Sequence, residues 1–166
     1  MNDFRSPVTQ DLDRRGIPYR VFRHPGPVAS LEQAAQERGQ APEQVIRSLL
    51  FRLSAENFVL ALMAGPQQVD WKTLRRYLGE QRLTTASEEE VLRVTGYPLG
   101  AVSPFGLPDP RPTVSVGRIL ADPGVFAPEE ISIGSGVRGT TIIMRTADLK
   151  KALPDVEIVP LQKSSR

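Results

Sequence analysis

Phe58-Val59-Leu60-Ala61-Leu62-Met63-Ala64 is an unbroken run of seven apolar residues, stopped by Gly65-Pro66. A strand with one wet face would alternate, so this run reads as a central strand covered on both sides. A second run, Val45 to Leu53, precedes it across a turn at Ser54 to Asn57 and supplies a neighbour in the sheet. A chain of 166 residues is long enough to bury such a sheet in one domain, so residues 1–166 are read as a single unit with a core of about 8–161.

The remaining elements follow from start and stop signals. Ser6-Pro7 opens a helix that Gly16 closes, and Tyr19 to Arg23 alternates like a strand. Ser30 caps a helix over Leu31 to Arg38, ended by Gly39, and Pro42-Glu43-Gln44 makes a short helical turn. Asp70 caps Trp71 to Leu78, and Ser87 with Glu90 has capping-box spacing for a helix that ends at Gly96. Thr113 to Leu120, Glu130 to Ile133 and Thr140 to Met144 read as strands, Thr146 as the cap of a helix to Leu153, and Val156 to Pro160 as a last strand. Residues 161–166 read as a polar, frayed tail. Helices and strands interleave irregularly, and the late strands are too close for crossover helices. The expected class is α/β of the α+β kind, with a mixed, mainly antiparallel sheet packed by helices.

Composition removes several chemistries. The chain has no cysteine, so disulfides, thiolate zinc sites and cysteine nucleophiles are excluded, in keeping with a cytoplasmic location. One histidine, His24, cannot build a histidine zinc site, and no nucleophile-elbow motif accompanies it for a serine triad. No metal or cofactor is expected. No run approaches the roughly 18 apolar residues of a membrane span, and the first residues lack the apolar segment of a signal peptide. A net charge of +2 allows a polyanionic partner without implying one.

Four features carry candidate chemistry. Gly96 to Gly106 reads Gly-Tyr-Pro-Leu-Gly-Ala-Val-Ser-Pro-Phe-Gly, a loop whose prolines hold one shape and whose glycines admit close backbone approach. It suits a small anionic or carbonyl ligand, or else it is a compact loop packed by its own side chains. Gly134-Ser135-Gly136-Val137-Arg138-Gly139 matches a dinucleotide fingerprint, but the strand-like Thr140 to Met144 follows where a helix is required. It is therefore a turn between strands, or a turn whose backbone lines a pocket beside Arg138. Arg47 either points to water or turns its planar fork into a cavity. Lys72, Arg75 and Arg76 share one helix face, which is solvated or touches a polyanion.

Taken in order, these segments resemble the YbaK/prolyl-tRNA editing family, the deacylase domains related to the insertion domain of bacterial prolyl-tRNA synthetases. The resemblance runs from about Leu12 to about Leu161, and Gly100-Ala101-Val102-Ser103-Pro104 fits the family's G-x-x-x-P loop. It implies a barrel-like, mainly antiparallel sheet surrounded by helices, and hydrolysis of the ester joining a wrong amino acid to tRNA. It places the pocket between that loop and the strand holding Ile46 to Leu53. Arg47 then stands where relatives carry lysine, Gly117 where many carry aspartate, and Ser135 where some carry histidine. On this resemblance the candidate catalytic residues are Arg47, Gly100, Ala101, Val102, Ser103 and Pro104. Candidate substrate contacts are His24, Ser30, Phe51, Gly134, Ser135, Gly136 and Arg138, with Lys72, Arg75 and Arg76 toward tRNA.

Two functions compete at this point. The first is a free-standing trans-editing enzyme for a mischarged tRNA carrying a small amino acid, with tRNA(Pro) a candidate and a synthetase a candidate partner. The second is a module that binds the aminoacyl-tRNA 3′ end or a nucleotide but has lost efficient chemistry with the family lysine.

Overall fold

The structure is a computed structural model that describes residues 4–54, 57–108 and 115–164. Helix α1 (Pro7–Arg15) leads to β1 (Arg20–Arg23), α2 (Leu31–Arg38), β2 (Ile46–Ser54) and β3 (Asn57–Ala64). Next come α3 (Trp71–Leu78), the short β4 (Thr84–Thr85), α4 (Glu88–Thr95) and β5 (Ser115–Ala121). The chain ends with β6 (Glu130–Gly134), β7 (Thr140–Arg145), α5 (Thr146–Ala152) and β8 (Glu157–Ile158). The expected turn at 54–57 and the strand from 113 lie in part outside the described residues.

The long apolar run is central, as its composition requires. Strand β3 lies between β2 and β5 in a five-stranded sheet of order β4-β2-β3-β5-β8. Its period of two divides the side chains: Phe58, Leu60 and Leu62 enter one core, while Val59, Ala61 and Met63 enter the other. The first core is closed by α1, α4 and α5, and the second by α3 through Leu74. A three-stranded sheet of order β1-β7-β6 packs on the first core through Ile131, Ile133, Ile142 and Met144. Pairing is mixed and mainly antiparallel, with β3–β5 and β5–β8 parallel.

Three expectations need correction. The sheet is not closed into a barrel: among the described residues the two sheets are paired only by an isolated bridge between Val45 and Ser132. Pairing on that edge of β2 resumes with β4 at Phe51 and Arg52, so the sheets part between these points. Thr146 is the first residue of α5 rather than its cap; Arg145 occupies the cap position, and the Thr146 hydroxyl is buried without a partner among the described residues. The tail is tied down as far as Lys163. Asp122 Oδ1 accepts from the Leu161 and Gln162 amides at 2.8 and 3.1 Å, and Lys163 N donates to Gln68 O at 2.7 Å.

Candidate active site

The gap between the two sheets forms a cleft of about 290 Å³. One wall is β2 from Ile46 to Leu49, the other Ile133, Gly134, Thr140 and Thr141 of β6 and β7. Leu99, Gly100 and Val102 close it on a third side, and Arg38 reaches it from the end of α2. The cleft exists because the β-ladder stops: side chains and loop backbone line the space where a strand would otherwise pair.

The loop over the cleft is fixed from below. Tyr97, Val102 and Phe105 are buried in the core, and Tyr97 Oη donates to Phe105 O at 2.6 Å. Burial pushes the Tyr97 phenol up, so it stays a neutral donor. Ser103 Oγ accepts from Phe105 N at 3.1 Å, and Gly106 N donates to Asp11 Oδ2 at 2.8 Å. Gly136 N donates to Ala101 O at 2.9 Å, which joins the loop to the β6–β7 turn. At Gly134 an added Cβ would overlap Val102 O and the Ala101 carbonyl, so only glycine lets β6 lie against this loop. Thus the loop is packed by its own side chains and also presents its tip to a cleft. Among the described residues the Gly100, Val102 and Ser103 amides have no hydrogen-bond acceptor, whereas Ala101 N is spent on Pro98 O.

Arg47 lines this cleft, but its guanidinium is held by backbone: Nε donates to Gly65 O at 2.8 Å and Nη2 to Gln67 O. Burial lowers its pKa. Arg47, Gly100, Val102 and Gly134 are brought together. Ala101, Ser103 and Pro104 are buried behind them. The other sequence candidates have separate duties. Ser30 caps α2 by accepting from Gln33 N at 3.0 Å. Ser135 Oγ is occupied within its turn by Val137 and Thr140, beside Gly136. Arg138 stands at the rim and donates to Leu99 O at 2.9 Å. Phe51 is buried on the far face of β2, against the Trp71 edge. Lys72 and Arg75 line a groove on that far face, and Arg76 lies outside it. Gly117 falls where the β3–β5 register shifts, away from the cleft.

Two cleft residues escaped sequence reading. Ser48 lies between Ile46 and Leu50 on the core-facing side of β2, and its Oγ is buried with no partner among the described residues. The period-two pattern of the strand could have found it. Arg38 follows the buried Ala34 and Ala35 at helical spacing, a signal that it faces inward. Its Nη1 donates to Ser132 Oγ at 2.8 Å and its Nε to His24 Nε2 at 3.1 Å. Burial pushes its pKa down to about 10, with Glu37 opposing that shift. His24 therefore lies behind Arg38 and does not line the cleft itself.

A cleft at the parting of two sheets, roofed by a G-x-x-x-P loop whose Gly100, Val102 and Ser103 amides have no acceptor among the described residues, defines a class of site, and the chain belongs to the aminoacyl-tRNA editing domain family, whose match spans residues 25–152. It is 31% identical over 150 residues to the multifunctional Ser/Thr-tRNA deacylase ProXp-y of Escherichia coli, covering 87% of this chain and 86% of that one. It is 40% identical over 82 residues to the proline–tRNA ligase of Kosmotoga olearia, covering 49% of this chain and 14% of the ligase. The same fold occurs in the crystal structure of a candidate trans-editing enzyme for prolyl tRNA synthetase, with TM-score 0.82, 24% identity, and coverage of 95% and 96% of the two chains. No helix among the described residues is long and apolar enough to cross a membrane.

Proposed function

We propose that this protein is a trans-editing deacylase that hydrolyses the ester of a mischarged tRNA bearing a small amino acid, acting as a free-standing protein in the cytoplasm. The observation that carries this reading is one cleft that gathers loop amides and a buried Ser48 hydroxyl, all without partners among the described residues, beside an Arg38 guanidinium held in place by Ser132 and His24. Attack of a held water, oriented by the adjacent ribose hydroxyl, on the ester carbonyl carbon puts negative charge on the carbonyl oxygen, and the proton the water gives up goes to the departing ribose oxygen. Fixed amide donors of the Gly100–Pro104 loop suit that oxyanion. Collapse breaks the carbon–oxygen bond to the ribose and returns that oxygen as a hydroxyl. No side-chain nucleophile is required. Arg38 supplies positive charge toward the carbonyl or the terminal phosphate, and Ser48 Oγ completes a hydrogen bond to the bound aminoacyl group. The cleft is small, which favours small side chains, and the Escherichia coli relative named for Ser/Thr-tRNA makes seryl and threonyl esters the first to try.

A second reading rests on Arg47. Its guanidinium is committed to the Gly65 and Gln67 carbonyls, which fits a binding module that has lost the work of the family lysine. Deacylation of alanyl-, cysteinyl-, seryl- and threonyl-tRNA by the purified protein separates the two. Hydrolysis of one species, lost in Arg38→Met, supports the enzyme. Tight binding without turnover, with turnover gained in Arg47→Lys, supports the module.

A further inference from the structure

The far face of β2 carries a second concavity, of about 770 Å³, built from different chemistry. Arg47 and Phe51 form its floor, and Trp71, Lys72 and Arg75 of α3 form one wall. Lys163 stands in it because the C-terminal segment is anchored to Gln68 and Asp122. Four cations thus face one carboxylate, Asp70, whose Oδ1 is spent accepting from Thr73 N at the start of α3. Lys72 and Arg75 have no ion-pair partner among the described residues. Trp71 is 38% exposed, an uncommon state for so large an apolar ring. Its orientation is set by Phe51, edge-on at 5.1 Å and 88°.

An anchored, open indole beside Lys72 and Arg75, which have no ion-pair partner among the described residues, is the chemistry that takes single-stranded nucleic acid: a base stacks on the ring while the cations neutralise its phosphates. A duplex would use the cations and leave the ring idle. We infer that this groove binds an unpaired RNA strand, with Trp71 as the stacking platform and Lys72, Arg75 and Lys163 on the backbone. Its position also matters. The groove and the candidate active site share Arg47 and Leu49, so a strand whose last nucleotide enters the cleft passes over β2 into the groove. The inference rests on the deacylase reading only for the identity of that strand, the 3′ end of the aminoacylated RNA.

Trp71 is the chain's single tryptophan, so its fluorescence reports the contact directly. The test titrates the protein with an uncharged RNA hairpin bearing a short unpaired 3′ overhang, and with the same hairpin cut blunt. The overhang RNA is expected to quench Trp71 and the blunt one to leave it unchanged. With labelled overhang RNA, Lys72→Ala with Arg75→Ala is expected to raise Kd at least about tenfold and to flatten its salt dependence by about 1.4 in log–log slope. Arg76→Ala, one residue outside the groove, is expected to do neither. Equal binding of the two hairpins, no quenching at saturation, or an unchanged Kd in the double variant would each overturn the inference. So would a change in Trp71 emission with protein concentration alone, which would give this face to a second copy of the chain. Because the RNA carries no ester, failure here leaves the deacylase reading standing. Hydrolysis of aminoacyl-adenosine, too short to reach the groove, tests that reading separately in Trp71→Leu.

Discussion

Arg38 Nε donates to His24 Nε2 at 3.1 Å, while the other ring nitrogen of His24 lies 2.6 Å from Glu37 Oε1. With Nε2 accepting, the ring proton sits on Nδ1 and points at the carboxylate, so the imidazole is the neutral link of a Glu37–His24–Arg38 chain ending in the cleft. Hydrogen bonds to charged groups are worth about 1.5–3 kcal/mol. Arg38→Met is therefore expected to lower kcat/KM for deacylation by roughly ten- to a hundredfold. His24→Ala, which only frees the guanidinium to wander, is expected to cost less. The double variant should be no worse than Arg38→Met alone, because His24 acts through Arg38. Steady-state kinetics on the four proteins checks this, and additive losses would show that His24 has a role of its own.

Ser48 offers an opposite pairing of stability and activity. A buried hydroxyl without a partner costs about 1–3 kcal/mol relative to a satisfied one. Ser48→Ala removes that cost, so the variant is expected to unfold at equal or higher urea concentration than the parent. If the hydroxyl is kept for substrate, kcat/KM should fall in the same variant. Parallel denaturation and turnover measurements decide it; a variant less stable and equally active would refute the assignment.

Much of this architecture was legible because local signals agreed with one another. The central strand, the glycine stops after α1, α2 and α3, and the Ser87–Glu90 box all appear where residue chemistry placed them. What escaped depends on contacts between distant segments. Whether the sheet closes is decided where β2 loses its neighbour beyond Val45, and no residue in β2 announces that. The tail is held by Asp122, some 40 residues away, so its polar composition suggested fraying. In the site, the loop was visible as a motif, but the destination of the Arg47 guanidinium was not. It is set by the Gly65 and Gln67 carbonyls in the connection after β3. Arg38 and Ser48 stand at positions that periodicity turns inward, but a polar side chain there does not announce in sequence whether it meets a partner or a cleft.

The two glycines of the cleft should fail differently. Gly134→Ala drives a methyl into backbone that cannot move, and overpacking of this kind costs about 1–3 kcal/mol. Gly100 has φ of 93° with open space around its Cβ position, so Gly100→Ala strains only its own backbone, by about 1 kcal/mol. Its expected effect is on turnover, at least about tenfold, since the strain moves the amides offered to the oxyanion. Gly139→Ala, also at positive φ and open but in the hairpin turn, is the control that should share the strain without the loss of turnover. Thermal melts with kinetics distinguish the three.

Glu157 makes the acid limb of stability predictable. Arg118 donates to it from Nε at 2.8 Å and from Nη2 at 2.5 Å, and Tyr77 Oη adds a third hydrogen bond at 2.7 Å. The Arg118 hydrogen bonds hold the folded carboxyl at about 2, against 4.5 when unperturbed. A group whose folded pKa is depressed contributes stability above its unfolded pKa and loses it as pH falls through the folded one. The contribution of Glu157 is thus present at pH 6, declines below about 4.5, and is gone near 2. Arg118 is 41% exposed, so solvent screens the pair and limits it to about 1 kcal/mol. Glu157→Gln should therefore be less stable than the parent in urea at pH 6, with the two curves converging as the pH is lowered toward 2. A gap that persisted at the lowest pH would assign the loss to packing of the side chain against β5 rather than to its charge.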